Sequence, residues 1–314
     1  MKLRKLADSY IAYKRSLGMR MRSEAKVLKE FCQQMGALEL AEVKPEAVLT
    51  FIGDARKPGR WRTYYGLIRS FYRYALERGF VQTCPLPPRP PKFPAQTPPY
   101  IYSTAELKRL LAAIAAWSTA YNTPLRPLTF RTLVLLLYGS AIRISEALAL
   151  PLRDVDLAAG VLTIRETKFF KSRVVPIGPK LTRALSDYAE RRRRLPLPAG
   201  EDSRFFCTRT GHRLEHEYVL KHFRRLRTVA GIRRAGGPYT QPRLHDIRHT
   251  SATHRLIAWY REGKDVQRLL PYLSTYLGHV SIESTQRYLT LTPELLQQAS
   301  RRFHRYLEPE NRHV

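Results

Sequence analysis

A proline-rich segment between Cys84 and Pro99 is the feature that most constrains how this chain can fold. The segment, CPLPPRPPKFPAQTPP, contains eight prolines in sixteen residues. Proline fixes the backbone φ angle and has no N–H to donate, so such a run can form neither a helix nor a central strand. Proline-rich stretches are typically extended, semi-rigid spacers. We therefore predict two folded domains, over residues 1–83 and 100–314, with a linker at 84–99.

The segment before the linker is predicted to be a small helical bundle. Apolar residues recur at helical spacing in four stretches: LADSYIAYKRSLG, SEAKVLKEFCQQMG, KPEAVLTFIGDA and RWRTYYGLIRSFYRYALERG. Three of these stretches end at a glycine, which is a common residue just after a helix, and Pro45 stands where a helix can begin.

The segment after the linker is predicted to be mainly helical with one β-hairpin. Ser103 and Glu106 have the spacing of a capping box, and FRTLVLLLYGSAIRISEALAL predicts two helices joined near Gly139. The period changes to that of strands in VLTIRET and RVVPI, which flank a turn at Lys168–Ser172. From Thr182 onward the pattern is again helical. The predicted fold class is therefore α+β: mainly α with a small β-hairpin or sheet.

The net charge is strongly positive in both predicted domains. The chain has 55 Lys and Arg against 26 Asp and Glu, a formal net charge of +29, of which +11 falls within residues 1–95 and +18 in the rest. A single basic tail does not account for this distribution. A polyanion that contacts both domains does, and nucleic acid is the first candidate. On charge alone, a basic ribosome-associated or membrane-surface protein remains an alternative.

The cysteines and the N-terminal sequence indicate the cellular compartment in which the protein is expected. Cys32, Cys84 and Cys207 are widely spaced and form no CxxC pair, so neither a disulfide framework nor a zinc ribbon is indicated. The N-terminal MKLRKLADSYIAYKRSL has no apolar signal core, and the apolar run at 133–138 is far too short to cross a bilayer. We expect a protein of the reducing cytoplasm, associated with the nucleoid through its ligand and without a membrane partner.

The fourth helical stretch alternates cations with aromatic residues and is a candidate DNA-binding helix. An outward face could enter a DNA groove, with its cations on phosphates and its aromatic rings along the edge. The alternative is that Trp61, Tyr65, Ile68 and Tyr72 form the buried stripe and the arginines a solvated face. The candidate DNA contacts on this helix are Arg60, Arg62, Thr63, Tyr64, Arg69 and Arg73, of which Arg60, Thr63, Tyr64 and Arg69 are expected to share the outward face.

The last third of the chain contains the residues with the clearest chemistry. His245 and Arg248 stand in LHDIRH, His279 in YLGH and Tyr288 in STQRYLT, with Arg143 upstream in AIRISEALAL. Two arginines, two histidines and a tyrosine are sufficient to attack a DNA phosphodiester without a metal. The guanidinium groups bind the non-bridging oxygens, the imidazoles handle protons and the phenol is the nucleophile.

A metal site is the alternative reading of LHDIRHTSATH. His245 and His249 are four residues apart and share one face of a helix, which suits zinc. No Glu or third ligand follows at a familiar spacing, and Arg248 beside them would repel a cation. We therefore predict no metal and no other cofactor, and we interpret His249 and His254 as structural residues.

Together these motifs resemble those of the tyrosine recombinases, the phage integrase and Xer-type family. The similarity covers nearly the whole chain and implies a helical core DNA-binding domain, a linker, and a catalytic domain that ends in a further helix. Lys168, in the turn of TKFFKSRVVPI, matches the lysine of the family's β-hairpin. The catalytic residues that the resemblance implies are Arg143, Lys168, His245, Arg248, His279 and Tyr288.

The resemblance implies a reaction that cuts and rejoins DNA through a 3′-phosphotyrosyl bond, without ATP or a divalent metal. Tyr288 would attack the phosphorus, and the two arginines would neutralise charge in the transition state. His245 would accept the tyrosine proton, His279 would hydrogen-bond a phosphate oxygen, and Lys168 would protonate the departing 5′ oxygen.

The hairpin departs from the family's pattern. Phe169 and Phe170 occupy the turn where small or polar residues are usual, so Lys171 is a rival to Lys168 as the hairpin lysine. Lys171 and Arg173 are also candidate DNA contacts.

Two further departures concern the branch of the family and its role. Ala141 stands where the family usually has Gly, and the segment HRLIAWYREGKDVQRLLPYLSTYLGH is longer than is common. This length favours a transposon-type branch, and hence integration or transposition of a mobile element. The expected partners are double-stranded DNA recombination sites, a homotetramer with one dimer per site, and in some cases a second recombinase.

Two other functions compete with this one. A catalytically silent DNA-binding protein of the same fold would have lost one of the six catalytic residues, and none is missing. A metal-dependent nuclease would need clustered carboxylates, whereas Asp246 is the single acid in LHDIRH.

The last amphipathic stretch, PELLQQASRRFHRYL, has Leu295, Leu296, Ala299 and Phe303 on one side. The resemblance implies that such a helix docks on a neighbouring subunit. Packing against its own domain is the alternative.

Overall fold

The computed structural model of the chain describes residues 2–53, 58–89, 97–117, 125–165, 172–208, 210–237, 240–290 and 293–307. The chain divides into two compact units, Met1–Gln96 and Thr97–Val314. Each unit has a hydrophobic core of its own.

The first unit is helical, as its periodicity predicts. Pro45 occupies the first turn of the third helix, where the missing N–H costs no hydrogen bond. Gly36 and Gly53, both with positive φ, follow the ends of the second and third helices. The helices are α1 (Leu3–Ser16), α2 (Arg22–Met35), α3 (Pro45–Ile52) and α4 (Pro58–Glu77), with a 3-10 turn at Leu40–Glu42.

Aromatic side chains of α4 form much of the core of this unit. Trp61, Tyr65, Ile68 and Tyr72 are each at most 5% exposed, which confirms that they are the buried stripe of the helix. The hydroxyl of Tyr72 has no hydrogen-bond partner among the described residues. The hydroxyl of Tyr10, in the same core, donates to Ser70 Oγ at 2.9 Å.

The second unit is mainly helical with one small sheet. Its first helix begins with the predicted capping box, because Ser103 Oγ accepts from the Glu106 N–H and the Glu106 carboxylate accepts from the Ser103 N–H. The helices are α5 (Thr104–Ala115), α6 (Leu125–Ser140), α7 (Ile144–Ala149), α8 (Pro179–Arg193), α9 (His216–Val229), α10 (Asp246–Arg261), α11 (Val266–Leu277), α12 (Glu283–Gln286) and α13 (Pro293–Leu307).

The predicted hairpin is part of a three-stranded antiparallel sheet. The strands β1 (Val155–Asp156), β2 (Val161–Ile164) and β3 (Arg173–Pro176) lie in the order β1-β2-β3. Leu162 faces Val175 across β2 and β3, and both side chains are buried. The candidate lysines of the turn, Lys168 and Lys171, lie outside the described residues.

The two helices predicted to join near Gly139 are present as α6 and α7, and the chain breaks between them at 141–143. Ala141 has a φ of +49° there. Gly139 itself lies in the last turn of α6, where a Cβ would come within 2.8 Å of Leu181 Cδ2. The glycine therefore permits close packing of α6 against α8, and the alanine provides the turn.

The prediction of continuous helix after Thr182 is wrong for the described residues of 194–215, and again for 230–237 and 241–245. Prolines and a glycine in LPLPAG cannot continue α8. The buried Arg192 holds this segment instead, since its Nη2 donates to the carbonyls of Pro198 and Arg204 at 2.7 and 3.1 Å.

The last helix, α13, packs on its own unit. It contacts α10, with Leu295 fully buried and an ion pair between Arg261 and Glu294. Leu296, in contrast, is 50% exposed. The helices within the described ranges are all too short or too polar to cross a membrane.

The two buried tyrosine hydroxyls of the first unit give a matched test. We expect Tyr72→Phe to raise the free energy of unfolding by about 1 kcal/mol, because it removes a buried polar group that has no partner. Tyr10→Phe should lower that free energy by about 1 kcal/mol, because it leaves Ser70 without its partner. Urea unfolding of each variant measures both changes. Equal destabilisation by the two substitutions would contradict the prediction.

Candidate active site

Five segments of the second unit converge on the candidate site. The α6–α7 junction provides Arg143, and β3 provides Arg173. The start of α10 is fixed by Asp246, which is 1% exposed and accepts from the Arg243 N–H at 2.8 Å. The side chains that these segments bring together are Arg143, Glu146, Arg173, His245, Arg248, His249, His279 and Tyr288.

Arg248 connects three of the segments from a buried position. It is 2% exposed, and its two terminal nitrogens donate to the carbonyls of Ala141 and Leu277, both at 2.6 Å. Burial and the nearby Arg143 charge lower the pKa of Arg248 to about 10, so it remains a cation at neutral pH. The guanidinium therefore provides a fixed positive charge that is held by backbone oxygens.

Glu146 is the acidic centre of the site and was not predicted as one of its residues. Its carboxylate accepts from Arg143 Nη1 at 2.8 Å and from Arg173 Nη1 and Nη2 at 3.0 and 2.8 Å. It also accepts from the Arg143 backbone N–H at 2.8 Å. One buried carboxylate thus orients two guanidinium groups.

The charge balance around Glu146 determines its protonation. Burial by itself raises the pKa of this carboxyl, but hydrogen bonds from Arg173 and Arg143 outweigh that effect and hold the pKa at about 2. Glu146 is therefore ionised over the whole physiological range.

Arg173 occupies a different place from that predicted for a DNA contact. Its side chain is 10% exposed, and besides Glu146 it donates from Nε to the Tyr276 carbonyl at 3.1 Å. Gly278 makes room for it, since a Cβ there would lie 2.8 Å from Arg173 Nη1. In this structure Arg173 ties β3 to the end of α11 and is largely withdrawn from solvent, because an ion pair with Glu146 satisfies its charge.

His279 follows the turn that Gly278 forms after α11. Gly278 has a φ of +65°, and its carbonyl accepts from Arg143 Nη2 at 2.9 Å. The Nδ1 atom of His279 is 2.8 Å from Thr285 Oγ1. Burial, then the charges of Arg248 and Arg143, lower the pKa of His279 to about 4, so the ring is neutral at pH 7.

Tyr288 lies at the bottom of the site, 1% exposed, in the core between α10, α11 and α13. Burial raises the pKa of its phenol, whereas the charges of Arg248 and Arg287 and a hydrogen bond from Arg248 lower it. The phenol oxygen is 2.9 Å from His249 Nδ1. The rings of Tyr288 and His279 are stacked, with centroids 6.1 Å apart.

The two histidines of α10 have different surroundings. His245, at the start of the helix, is exposed and contacts the His249 ring edge-on at a centroid distance of 4.9 Å. Although part of the residue is exposed, packing around its ring removes some solvent, and this effect and then the Arg248 charge lower the pKa of His245. His249, which the sequence suggests is structural, has its Nδ1 atom within hydrogen-bond distance of the phenol oxygen. The i, i+4 spacing of His245 and His249 indicates that both lie on one face of the helix, but it does not show which of them reaches the phenol oxygen.

The predicted DNA-binding residues of α4 lie in the first unit. Arg60, Thr63, Arg69 and Arg73 are exposed, while Arg62 and Tyr64 are partly buried. Tyr64 stacks on Phe51 at a centroid distance of 5.4 Å.

The four residues expected to share one outward face of α4 do not share it. Arg60 and Arg69 are nine positions apart, which places them about 180° apart around a helix of 3.6 residues per turn. Arg69 instead shares a stripe with Arg62 and Arg73. This stripe lies about 90° around the helix from the buried stripe of Trp61, Tyr65, Ile68 and Tyr72.

The described residues contain no cluster of three or more His, Cys, Asp or Glu side chains that could hold a metal ion.

Sequence comparison identifies relatives of this chain. The Phage integrase family profile matches residues 103–294. A Sinorhizobium fredii protein named as an integrase/recombinase, y4rB, is 37% identical over 97% of this chain and 98% of its own length. The tyrosine recombinase XerA of Thermococcus kodakarensis is 32% identical over 82% of this chain and 81% of its own length.

Solved structures share the fold at lower identity. The Tn1549 transposon integrase, in complex with a circular intermediate DNA, matches 98% of this chain and 99% of its own with a TM-score of 0.68 at 16% identity. The XerH site-specific recombinase, in a post-cleavage complex with a palindromic difH substrate, matches 90% of this chain and 80% of its own with a TM-score of 0.64 at 19% identity.

The ion pairs of Glu146 predict a pH dependence of stability. Because the pKa of Glu146 is lowered on folding from an ordinary value near 4.5 to about 2, its stabilisation is present above pH 4.5 and is lost as the pH falls to 2. We expect Glu146→Gln to lower the free energy of unfolding at pH 7 by on the order of 3 kcal/mol. Denaturant unfolding between pH 2 and 7 measures both effects.

The matched control for this substitution is Glu190→Gln, which removes an exposed ion pair with Arg194. This change should cost less than about 1 kcal/mol. A Glu146→Gln curve that runs parallel to wild type between pH 2 and 4.5 would contradict the prediction.

Proposed function

The chain belongs to the phage integrase family of tyrosine recombinases, and we propose that it cleaves and rejoins double-stranded DNA at specific sites through a phosphotyrosyl intermediate on Tyr288. The observation that carries this proposal is the position of the Tyr288 hydroxyl. It lies against His249 and within the field of three arginines, Arg248, Arg287 and Arg143. A phenol in such surroundings is a nucleophile prepared for an anionic phosphodiester.

The two arginines of the motifs are suited to bind the scissile phosphate. Arg143 is 33% exposed on its side chain and is held by Glu146 and the Gly278 carbonyl, so it is both oriented and accessible. Arg248 lies deeper and is fixed by two backbone carbonyls. Preorganised donors of this kind stabilise the charge that develops in the transition state, without reorganising during the reaction.

The remaining roles concern protons and hydrogen bonds to the phosphate. His279 is neutral and stands beside the Tyr288 ring, which supports a hydrogen bond from its ring to a non-bridging phosphate oxygen. Protonation of the departing 5′ oxygen is assigned to Lys168, with Lys171 as its rival; both lie outside the described residues. Tyr288 itself is buried, so we infer that the segment Arg287–Thr290 shifts when DNA enters.

The biological role proposed is integration or transposition of a mobile element. The support is the likeness in fold to the Tn1549 transposon integrase and the sequence likeness to y4rB, an integrase/recombinase by name. The long segment between LHDIRH and YLGH favours the same branch. Such a reaction takes place where the cell keeps its DNA, in the cytoplasm.

The assembly proposed is a dimer on each recombination site and a tetramer during strand exchange. Solved structures that share the fold include a lambda integrase dimer bound to a core site and a lambda integrase tetramer bound to a Holliday junction. In the isolated chain, α13 packs on α10 of its own unit, so exchange of this helix between subunits would require it to detach.

The nucleophile can be tested by trapping the covalent intermediate. Purified protein is incubated, without metal, with nicked duplexes that span the ends of its own genetic element, and products are separated on a denaturing gel. We expect a protein–DNA adduct with wild type and none with Tyr288→Phe, because only the hydroxyl can form the phosphotyrosyl bond.

The controls separate the alternatives. A relative with a known site, assayed in parallel on that site, shows that the conditions support cleavage. Binding without an adduct, when the relative does form one, would favour the catalytically silent DNA-binding protein. An adduct that persists in Tyr288→Phe would exclude Tyr288 as the nucleophile.

The exposed stripe of α4 is proposed to bind DNA phosphates. We expect the double variant Arg69→Ala/Arg73→Ala to weaken DNA binding and to reduce the salt slope by about 2, because each phosphate contact contributes about 1. The control is Lys26→Ala/Lys29→Ala, which removes the same charge from an exposed part of α2. Gel-shift titrations at several salt concentrations measure the slope. Equal salt slopes for the two double variants would mean that only the net charge matters, and would contradict direct phosphate contacts by Arg69 and Arg73.

A further inference from the structure

The nucleophile's hydroxyl is in contact with a histidine that the family motifs do not assign. Among the described residues, His249 Nδ1 is the histidine atom that forms a hydrogen bond with Tyr288 Oη, at 2.9 Å. The ring centroids of these residues are 5.5 Å apart. His245, to which the sequence motif gave the proton, lies one helical turn earlier and contacts the His249 ring.

The surrounding groups are compatible with a hydrogen bond that the phenol donates to the imidazole. A guanidinium can only donate, so the Arg248 contact with the phenol oxygen uses a lone pair of that oxygen. The single phenol proton is then free to point at His249 Nδ1. A neutral imidazole with its proton on Nε2 has a lone pair at Nδ1, so this nitrogen can accept the hydrogen bond from the phenol.

His249 is neutral in the free protein. Burial, then the proximity of His245, Arg243, Arg248 and Arg287, lower its pKa to about 3. A neutral ring can accept a proton, whereas an imidazolium could not.

We propose that His249 is a catalytic residue that accepts the Tyr288 proton as the phenol attacks the phosphorus. This inference rests on the proposed function. In the step, the bond between Tyr288 Oη and phosphorus forms and the bond from phosphorus to the 5′ oxygen breaks. The phenol proton moves to His249 Nδ1, and the 5′ oxygen takes a proton from the hairpin lysine. Religation returns both protons by the reverse path.

The basicity of His249 changes when DNA binds. The groups that face its ring are cationic or neutral, and a phosphodiester adds a negative charge beside them, which makes an imidazolium more favourable. As the phenol oxygen bonds to phosphorus, its proton becomes more acidic. Proton transfer that accompanies bond formation therefore avoids a free phenolate, and the imidazolium that it produces lies beside the negative charge of the phosphate.

The variant that tests this role is His249→Asn. The Asn amide can occupy the position of Nδ1 and hydrogen-bond to Tyr288, but it cannot take up a proton. We expect single-turnover adduct formation to slow about 100-fold in His249→Asn, because general-base assistance is worth that much or more. His249→Ala should be equally slow. DNA binding, measured by gel shift, should be unchanged in both variants.

The matched control is His254→Asn. His254 is on the same helix, and its Nδ1 atom makes the same kind of bond, at 2.9 Å, to the hydroxyl of Tyr138. It has no contact with Tyr288 among the described hydrogen bonds, so its adduct rate should equal that of wild type.

A substrate with sulfur in place of the bridging 5′ oxygen separates the two proton transfers. A thiolate leaves without protonation. This substrate should therefore restore the rate of adduct formation in a Lys168→Ala variant, and it should not restore that rate in His249→Asn. Restoration of His249→Asn by this substrate would assign His249 to the leaving group and overturn the proposal. Wild-type rates in His249→Asn on the ordinary substrate would also overturn it.

Nitrogen NMR of histidine in the free wild-type protein tests the same claim without a His249 variant. We expect His249 to be unprotonated at Nδ1, with a chemical shift that changes in Tyr288→Phe. A proton on Nδ1 would overturn the proposal. Failure of the proposed function itself has a different signature, because wild type would then form no adduct on any substrate.

Discussion

The carboxylate of Glu146 is the interaction on which the rest of the site depends. It stands in a chain with a net charge of +29 and binds Arg143 and Arg173, which come from different segments. Without a buried anion, two guanidinium groups at this distance would repel each other and leave the core for water. Through Arg173 the same carboxylate ties β3 to the end of α11, and through Arg143 it reaches the Gly278 turn. The geometry of the phosphate-binding groups therefore depends on one acid.

The electrostatics of the site keep its proton-handling groups neutral until DNA arrives. Burial and nearby cations lower the pKa values of His279 and His249, while burial raises that of Tyr288. The described residues around Tyr288 carry more positive charge than Glu146 and Asp246 neutralise, and a phosphodiester is a monoanion of complementary sign. Its binding would relieve repulsion among the arginines and raise the basicity of the histidines at the same time.

Motifs in the sequence predicted the residues that meet in the site better than they predicted which atoms touch. Arg143, Arg248, His279 and Tyr288 do converge, and the four N-terminal helices and the hairpin strands are present. His245 and His249 share a helical face, so periodicity cannot decide which one meets the phenol; the packing of Arg287–Thr290 on α10 decides it. The cationic side chain of Arg173 is typical of a DNA contact. Its burial depends on an ion pair with Glu146, an acid 27 residues earlier. Such tertiary pairings are not encoded in local pattern.

Ala141 illustrates how the site stabilises a backbone that local preference disfavours. A non-glycine residue at a φ of +49° costs about 1–2 kcal/mol relative to an ordinary conformation. In this conformation the Ala141 carbonyl accepts from Arg248 at 2.6 Å, and hydrogen bonds to charged groups contribute about 1.5–3 kcal/mol. The bond is therefore large enough to offset the strain. It also fixes Arg248 beside Tyr288, so the alanine that stands where the family usually has glycine remains compatible with the active-site geometry.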